Sequence, residues 1–196
     1  MRVHGIPLDM EGIRREVTVK RARIKELHRG LMDMRIQGFN DRKGTLAVLK
    51  QHNLQGLLGA TPGGGESLDE TSLKNLPYVE EYLGLLSETE LDEQATIKLQ
   101  QFSSKAYLRA VSMILEGREL EKQITTWLIG FLNVAGDDGR VHPLWGAGST
   151  VSFRLNCTEP NAQAVSKKVK VFDIDLQGDF SQAELRLGAM FGEEDL

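Results

Sequence analysis

The stretch from Val171 to Phe191 reads VFDIDLQGDFSQAELRLGAMF, and its hydrophobic period changes part-way along. In the first half, apolar side chains alternate with polar ones, and those on the apolar side are Phe172, Ile174, Leu176 and Phe180. From Ser181 onward the apolar positions recur at spacings of four and three, which is typical of a helix. The pattern therefore predicts a strand with one face for a core and one for water or a ligand, followed at once by a helix.

Asp179 lies where this strand hands over to the helix. A carboxylate at such a point is rigidly held and exposed, so it is a good candidate metal ligand. A structural interpretation is also open, because Ser181 and Glu184 match the S-x-x-E capping box and an aspartate near a helix start is stabilised by the helix dipole. Spacing alone favours the structural interpretation.

The string GDFSQAELR, residues 178–186, resembles the D-[YF]-S-Q-x-E-L-R signature called motif A in family A DNA polymerases, the bacterial polymerase I kind. The resemblance implies that Asp179 is one of the two catalytic palm aspartates that hold magnesium, with the backbone carbonyl of Phe180 as a further metal ligand. It implies that Glu184 is the steric gate that excludes the ribose 2′-hydroxyl. The residues that it assigns to the nucleotide are Phe180, Ser181, Gln182 and Glu184.

A chain of 196 residues that is 40% hydrophobic can form one sizeable core or two small domains. Its net charge of −4 gives no reason to expect a nucleic-acid partner, but cations crowd residues 14–29 and residues 66–93 are strongly acidic. The single cysteine, Cys157, excludes an internal disulfide and suits a reducing cytosol. No secretory segment follows Met1 and no apolar run approaches ~20 residues, so we expect no membrane partner and a cytoplasmic location. The resemblance implies that this is the cytoplasm of a bacterial cell or a phage-infected host.

The sequence from Gly5 to Asp9 predicts a turn and an N-cap, and a long helix should run from Met10 to about Asp33. Its apolar stripe, interrupted by Lys20, contains Ile13, Val17, Ile24, Leu27 and Leu31. Its basic residues are Arg14, Arg15, Lys20, Arg21, Arg23, Lys25 and Arg29. Two interpretations of the charged face stay open: it is simply solvated, or it lies along a phosphate backbone.

Residues 38–65 read as short and broken, with one small helix among them. TPGGGES, residues 61–67, predicts a flexible linker, because it lacks the Gly-Lys-Ser/Thr of a phosphate cradle. One or two short helices follow within residues 68–86. The pattern is helical again over residues 91–132, with a possible break at Gly117.

Two long helices joined by small ones form an αα-hairpin with an elaborated tip, and the resemblance implies that this hairpin is a polymerase thumb. MRVHGIPLD, residues 1–9, resembles the start of the thumb in that family, and REL-x-K, residues 118–122, resembles its second long helix. In the family these basic positions contact the duplex near the primer end. The resemblance therefore implies DNA contacts for Arg118 and Lys122, with an ordinary surface charge as the alternative for each.

GDDGR, residues 136–140, predicts a turn between apolar runs, and residues 141–145 are short and strand-like. Asp137 and Asp138 could suggest a metal site, but beside glycines they more often form turns. We expect His142 to pack or to make a hydrogen bond.

GRVHPLWGAGSTVSFRLNCTEPNAQ, residues 139–163, resembles without a gap the thumb–palm junction of the same family. The matching positions are Thr150, Ser152, Arg154, Leu155, Pro160, Asn161 and Gln163, and the departures are Gly146, Ala147, Phe153 and Ala164. The resemblance implies DNA contacts for Thr150, Ser152, Arg154, Asn161 and Gln163. Arg154 would enter the minor groove and read shape rather than sequence, because minor-groove acceptors are nearly degenerate. Asn161 and Gln163 would hold the template side.

The predicted fold class is α+β: a helical thumb over residues 1–133, then an incomplete antiparallel palm sheet over residues 134–196. The resemblance implies part of a DNA-directed DNA polymerase that binds primer-template DNA and dNTP and uses two Mg²⁺ ions. Asp179 supplies one carboxylate, and Asp175 lies ~13 Å away along a strand, too far to share the same ions. The family's His-Asp-Glu motif and its triphosphate-binding lysine do not occur in the 196 residues. We therefore expect a complementary chain that carries the fingers and the rest of the palm.

Two origins fit this division: a split polymerase, such as one encoded by a phage, or a truncated polymerase. The Met1 start ahead of the thumb favours the split gene slightly. Two other classes stay open, a non-catalytic nucleic-acid clamp and a helical interaction protein derived from a polymerase.

Overall fold

The computed structural model of the chain describes residues 5–54, 56–146 and 156–173. Its helices are α1 (Met10–Asp33), α2 (Arg42–Gln51), α3 (Glu70–Lys74), α4 (Val79–Ser87), α5 (Glu93–Ser103), α6 (Ala106–Lys122), a π-helical segment (Gln123–Ile129) and α7 (Gly130–Asn133). Its strands are β1 (Ile6–Pro7), β2 (Arg140–Val141), β3 (Leu144–Gly146) and β4 (Asn156–Thr158), and a 3₁₀ turn covers Ala162–Ala164. The predicted α+β class is confirmed. Within these ranges, no helix combines the length and the hydropathy needed to cross a membrane.

The first long helix covers the predicted range. The Asp9 carboxylate accepts a hydrogen bond of 2.8 Å from the Gly12 N–H, so it caps the first turn as expected. The buried residues of α1 are Ile13, Val17, Leu27 and Leu31, all from the predicted apolar stripe. With 24 residues, α1 is ~36 Å long.

The predicted break at Gly117 is wrong. The second helical region is interrupted at Ser104 and Lys105, between α5 and α6, and Gly117 lies buried inside α6. A Cβ atom at Gly117 would overlap the ring of Phe39. Glycine is needed here for close packing between α6 and the loop after α1, and it does not end the helix.

The buried residues form two cores along the helix pair. The tip core comprises Leu27, Leu31, Ile36, Phe39, Val48, Leu49, Leu54, Leu58, Leu73, Leu76, Val79, Tyr82, Phe102, Tyr107, Leu108, Ala110, Val111 and Ile114. The base core comprises Leu8, Ile13, Val17, Ile124, Leu128, Phe131, Val141, Val169 and Val171. Helix α1 contributes to both cores, and the helical run from Ala106 to Asn133 also passes through both.

The base is closed by short antiparallel pairings between distant parts of the chain. β1 pairs with β2, so that Ile6 lies opposite Val141, and an isolated bridge joins Leu8 to Phe172. β3 pairs with β4 in a second sheet, with Trp145 opposite Cys157. The antiparallel arrangement agrees with the predicted sheet.

The glycine-rich loop differs from the predicted flexible linker. The Thr61 N–H donates to the Gly65 carbonyl at 2.6 Å, and the Gly64 N–H donates to the Thr61 carbonyl at 2.8 Å. The Glu66 carboxylate accepts a hydrogen bond of 2.8 Å from the Gly56 N–H. The loop is thus a hydrogen-bonded turn, in which backbone groups satisfy one another.

Candidate nucleic-acid interface

Eight of the predicted site residues lie outside the described residues: Asp179, Phe180, Ser181, Gln182, Glu184, Thr150, Ser152 and Arg154. Their metal, nucleotide and DNA roles stay predictions. Among the described ranges, no three His, Cys, Asp or Glu side chains come together as a metal-binding group.

Residues 171–173, at the end of the described part of the chain, are held by the base. The Asp9 N–H donates to the Val171 carbonyl at 3.0 Å, and the Asp173 N–H donates to the Pro7 carbonyl at 3.0 Å. The Phe172 ring meets Phe131 edge to face, with centroids 5.4 Å apart. Residues 171–173 are therefore held both by the segment that precedes α1 and by α7.

The burial of this segment departs from the predicted alternation. Phe172 packs against the base core as expected, and Asp173 is exposed. Val171, which the pattern places on the side for water or a ligand, is only 1% exposed. It is buried because this part of the segment packs inside the base core, so both faces meet protein there.

Arg118 connects α6 to two loops of the tip. Its Nε donates to the Phe39 carbonyl at 3.0 Å, and its Nη1 donates to the Leu68 carbonyl at 2.6 Å. Partial burial lowers the pKa of the guanidinium, and the charge of Asp69 opposes this shift. Sequence reasoning missed this structural role, and the DNA contact of Arg118 stays a prediction.

Lys122 is the last residue of α6 and is exposed. It lines an open groove of about 540 Å³ between α6 and α3–α4, together with Lys74 and Lys168. Lys74 donates to Glu70 in the same groove at 2.6 Å, and this bond, followed by the more distant charges of Lys122 and Lys168, lowers the pKa of Glu70. The groove is therefore mixed in charge, and the DNA contact of Lys122 stays a prediction.

Asn161 and Gln163 lie together at the 3₁₀ turn after β4. The Asn161 side-chain oxygen accepts hydrogen bonds of 3.2 Å from the N–H groups of Gln163 and Ala164. Asn161 thus caps the turn, which the N-cap preference of asparagine would have signalled. Both side chains are exposed, and their contact with the template strand stays a prediction.

Three of the seven basic residues on α1 are paired. Arg15 contacts Glu11 at 3.2 Å, Lys20 contacts Glu16 at 3.1 Å, and Arg23 donates to Glu116 at 2.7 Å. The Glu116 hydrogen bond raises the pKa of Arg23, which stays protonated. The pair of Arg23 with Glu116 joins α1 to α6, and the other two pairs lie within α1.

The other four basic residues, Arg14, Arg21, Lys25 and Arg29, form what we call the α1 cationic stripe. All four are exposed, and none of their side chains has a hydrogen-bond or ion-pair partner among the residues that the structure describes. At about 100° per residue they fall within an arc of about 80° on one side of the helix. The predicted charged face is therefore divided into a paired part and an unpaired part.

A buried polar layer lies between the two cores. Lys20 donates to the Gln123 side-chain oxygen at 2.7 Å, and the Gln123 side-chain nitrogen donates to Glu119 at 2.8 Å. Gln123 is 4% exposed and begins the π-helical segment. The layer explains why Lys20 interrupts the apolar stripe of α1, since its ammonium serves this network.

Comparisons with known proteins agree with the family resemblance seen in the sequence. No protein-family model matches the chain. The chain is similar to DNA polymerase I of Lactococcus lactis subsp. lactis (strain IL1403), with 31% identity over 99 residues that cover 44% of this chain and 11% of that relative. Its fold is similar to the POL domain of Pol1 from M. smegmatis, solved in complex with DNA primer-template and dNTP. That match has a TM-score of 0.55 and 19% identity, and it covers 85% of this chain and 25% of the other.

The predicted resemblance to family A DNA polymerases is thereby confirmed, in sequence over part of the chain and in fold over most of it. The chain spans 11% of the curated relative and 25% of the solved structure. The activity, substrates and partners of those larger proteins are therefore only proposed for this chain.

Proposed function

We propose that this chain is the thumb and first palm segment of a DNA-directed DNA polymerase, which grips primer-template DNA and supplies one catalytic aspartate. The observation that carries the proposal is the string GDFSQAELR at residues 178–186. Its position supports the same conclusion, because it follows the segment that the base holds through Val171 and Asp173. The sequence similarity to a DNA polymerase I and the fold of a POL domain support a polymerase-related role.

In this proposal residues 1–133 are the thumb and residues 134–196 are the beginning of the palm. The end of α7 at Asn133 and the onset of antiparallel pairing at Arg140 support that division. The segment from Ile6 to Asp9 pairs with the base although it precedes α1, so it is the root of the thumb.

The proposed chemistry is template-directed nucleotidyl transfer. Asp179 provides one carboxylate and Phe180 a backbone carbonyl toward a magnesium site, and Glu184 excludes the ribose 2′-hydroxyl of the incoming dNTP. Two bound Mg²⁺ ions would supply activation of the primer 3′-hydroxyl and stabilisation of the triphosphate charge. Ser181 and Gln182 complete the nucleotide contacts. A complementary chain with the fingers and the rest of the palm provides the second carboxylate and the triphosphate-binding lysine.

The proposed duplex contacts come from Thr150, Ser152, Arg154, Asn161, Gln163, Lys122 and Arg118. Arg118 is compatible with such a contact, because its internal hydrogen bonds use Nε and Nη1 and a guanidinium carries five N–H donors. Its Nη2 group can donate to a phosphate while the tip loops stay attached. A cytoplasmic location, in a bacterium or a phage-infected host, belongs to the same proposal.

Primer extension tests this proposal. The chain would be mixed with a polypeptide that carries the fingers and remaining palm of the Lactococcus lactis DNA polymerase I, with Mg²⁺, primer-template and dNTP. We expect extension from the mixture only, its abolition by Asp179→Ala, and its retention in the matched control Asp175→Ala. Glu184→Ala should keep extension and relax the rejection of ribonucleotides. Extension by this chain alone, or full activity of Asp179→Ala in the mixture, would refute the proposal.

The α1 cationic stripe favours a second candidate, a non-catalytic nucleic-acid clamp. A clamp binds duplex with a steep salt dependence and does not respond to Asp179→Ala. Duplex binding without any extension in the mixture would select it. The third class, a helical interaction protein, predicts no duplex binding at low salt.

A further inference from the structure

We infer that the α1 cationic stripe is a second nucleic-acid surface, which binds a phosphodiester backbone on the side of α1 that faces away from α6. The inference deepens the proposed function and rests on it for the class of ligand. The motifs of the sequence assign no contact to the residues of the stripe, so its evidence is independent of them.

The distribution of charged residues along α1 is the first observation that supports the inference. Glu11 and Glu16 each lie four residues before a cation that they contact, Arg15 and Lys20, which is the favourable orientation for such pairs. In the stripe, Arg21, Lys25 and Arg29 follow one another at the same spacing with like charge. Like charges four apart in a helix repel. An anionic ligand would relieve that repulsion.

The dimensions of the stripe fit an extended polyanion. From Arg14 to Arg29 there are 15 residue steps, or about 22 Å along the helix axis. Duplex DNA carries one negative charge for about each 1.7 Å of its axis. A backbone that follows α1 therefore presents several phosphates to the stripe in any register, and the recognition is independent of base sequence.

The stripe and the predicted contacts of α6 point in different directions. α1 faces α6 through Lys20, which bonds Gln123, and through Arg23, which bonds Glu116. The stripe lies on the opposite side of α1 from these two residues, whereas Lys122 lines the groove on the α3–α4 side of α6. The stripe and Lys122 therefore lie on different helices, and they would contact different segments of nucleic acid.

The surface formed by α4 and α5 differs from the stripe in the sign of its charge. Residues 78–103, which contain α4 and α5, carry six carboxylates and one lysine, so this hairpin repels a phosphate backbone. Its carboxylates are Glu80, Glu81, Glu88, Glu90, Asp92 and Glu93. Polyanion binding to the tip is therefore directed away from α4 and α5 and toward α1.

The test is the salt dependence of binding by the 196-residue chain, measured by fluorescence anisotropy. Two labelled probes are used, a primer-template duplex and a single-stranded oligonucleotide, because both present the same backbone. We compare the wild type with Arg21→Gln/Arg29→Gln and with the control Lys98→Gln/Arg109→Gln, which removes the same charge elsewhere on the tip. The circular dichroism and melting temperature of each variant are recorded alongside.

For the stripe variant we expect the slope of log K against log[salt] to fall by about 1.8 with the duplex or about 1.4 with the single strand, since each lost phosphate contact contributes about 0.9 or 0.7. The probe that shows the loss identifies the strand form that the stripe binds. The control should keep the wild-type slope, and the stripe variant should melt no lower than the wild type. Equal slopes in both variants, or no binding of either probe by the wild type, would overturn the inference. Extension that depends on Asp179 would then still stand, so the two failures are distinguishable.

Discussion

The tip and the base of this helix pair are built in different ways. Every buried residue of the tip core comes from one continuous run, from Leu27 to Ile114. The base core collects residues from three separate stretches, 8–17, 124–141 and 169–171. The tip therefore forms within a single stretch of the chain, whereas the base forms only when three separate stretches meet. In the proposed function the base holds residues 171–173, which precede Asp179 in the sequence, so the region that depends on distant segments supports the chemistry.

The polar layer at Lys20 and Gln123 lies between the two cores, which share the partly buried Ile24. A hydrogen-bonded polar group in a buried position contributes modestly when it is satisfied, and its loss is costly when one partner is removed. π-helical turns are frequent at functional sites and interrupt the regular helix ladder. The coincidence of the layer with the π-helical segment makes this level the natural boundary between two cooperative units.

Two spectroscopic signals can report the unfolding of the base and of the tip separately. Its two tryptophans, Trp127 and Trp145, lie in the base, where Trp127 packs against the base core and Trp145 lies in β3. The helices α2 to α5 and most of α6 belong to the tip. Tryptophan fluorescence therefore reports the base, and far-UV circular dichroism is dominated by the helices of the tip.

The largest expected effects come from deleting one leucine in each core. Leu108 and Leu128 are both 0% exposed, and each substitution by alanine should cost about 2–5 kcal/mol of unfolding free energy. Leu128→Ala should move the fluorescence transition in urea and leave most of the dichroism unchanged. Leu108→Ala should move both transitions, because the base is built on helices that the tip holds together. A dichroism transition that is unchanged in Leu108→Ala would contradict the separation of the cores.

An intermediate effect is expected at Arg118, whose guanidinium ties α6 to the carbonyls of Phe39 and Leu68. Arg118→Gln should lower the unfolding free energy of the tip by about 2 kcal/mol, since hydrogen bonds to charged groups contribute about 1.5–3 kcal/mol each and this site is partly solvated. The measurement is urea denaturation followed by dichroism, without DNA. Arg109→Gln on the same helix, at an exposed position, should change stability by no more than about 0.5 kcal/mol. Equal stabilities of the two variants would mean that Arg118 has no structural role.

The smallest expected effect concerns acid. Hydrogen bonds from backbone N–H groups lower the pKa of Asp69 in the tip and of Asp138 in the base, the first from Ser72 and the second from Arg140. A carboxyl whose pKa is lower in the folded state stabilises the fold above its unfolded pKa of about 3.9, and that contribution is lost as the pH falls through the folded value. The unfolding midpoint should therefore decline below about pH 4.

The two positions can be separated by neutral isosteres. Asp69→Asn keeps a side-chain oxygen for the Ser72 N–H and should flatten the acid decline seen by dichroism. Asp138→Asn should flatten the decline seen by fluorescence. An unchanged decline in both variants would show that other groups control the acid sensitivity.

The first long helix was largely predictable from the sequence, whereas contacts between distant segments were not. The range of α1, its Asp9 cap and its apolar stripe follow from local rules of capping and periodicity. Gly117 misled the prediction, because a buried glycine reads as a helix breaker when the ring of Phe39 that it accommodates is 78 positions away. The same limitation concealed Arg118, whose partners Phe39 and Leu68 are brought near only by the tertiary fold.

In the base, alternation correctly identified the apolar side at Phe172, but it could not reveal that Val171 is buried as well. That burial depends on β1 and α7, which are distant in sequence. For the interface, composition located the basic run on α1, but only the structure separates Arg15, Lys20 and Arg23, which are paired, from the α1 cationic stripe. The pairs of Arg15 and Lys20 have the local spacing of four residues, whereas the pair of Arg23 with Glu116 joins two helices and has no local signature.

One equilibrium experiment tests the separation of the two regions most directly. The wild-type chain is unfolded in urea while tryptophan fluorescence and far-UV circular dichroism are recorded on the same samples. We predict that the fluorescence transition, which reports Trp127 and Trp145 in the base, lies at a lower urea concentration than the dichroism transition. If the two transitions coincide, or if the fluorescence transition lies at a higher urea concentration than the dichroism transition, the separation of tip and base is contradicted.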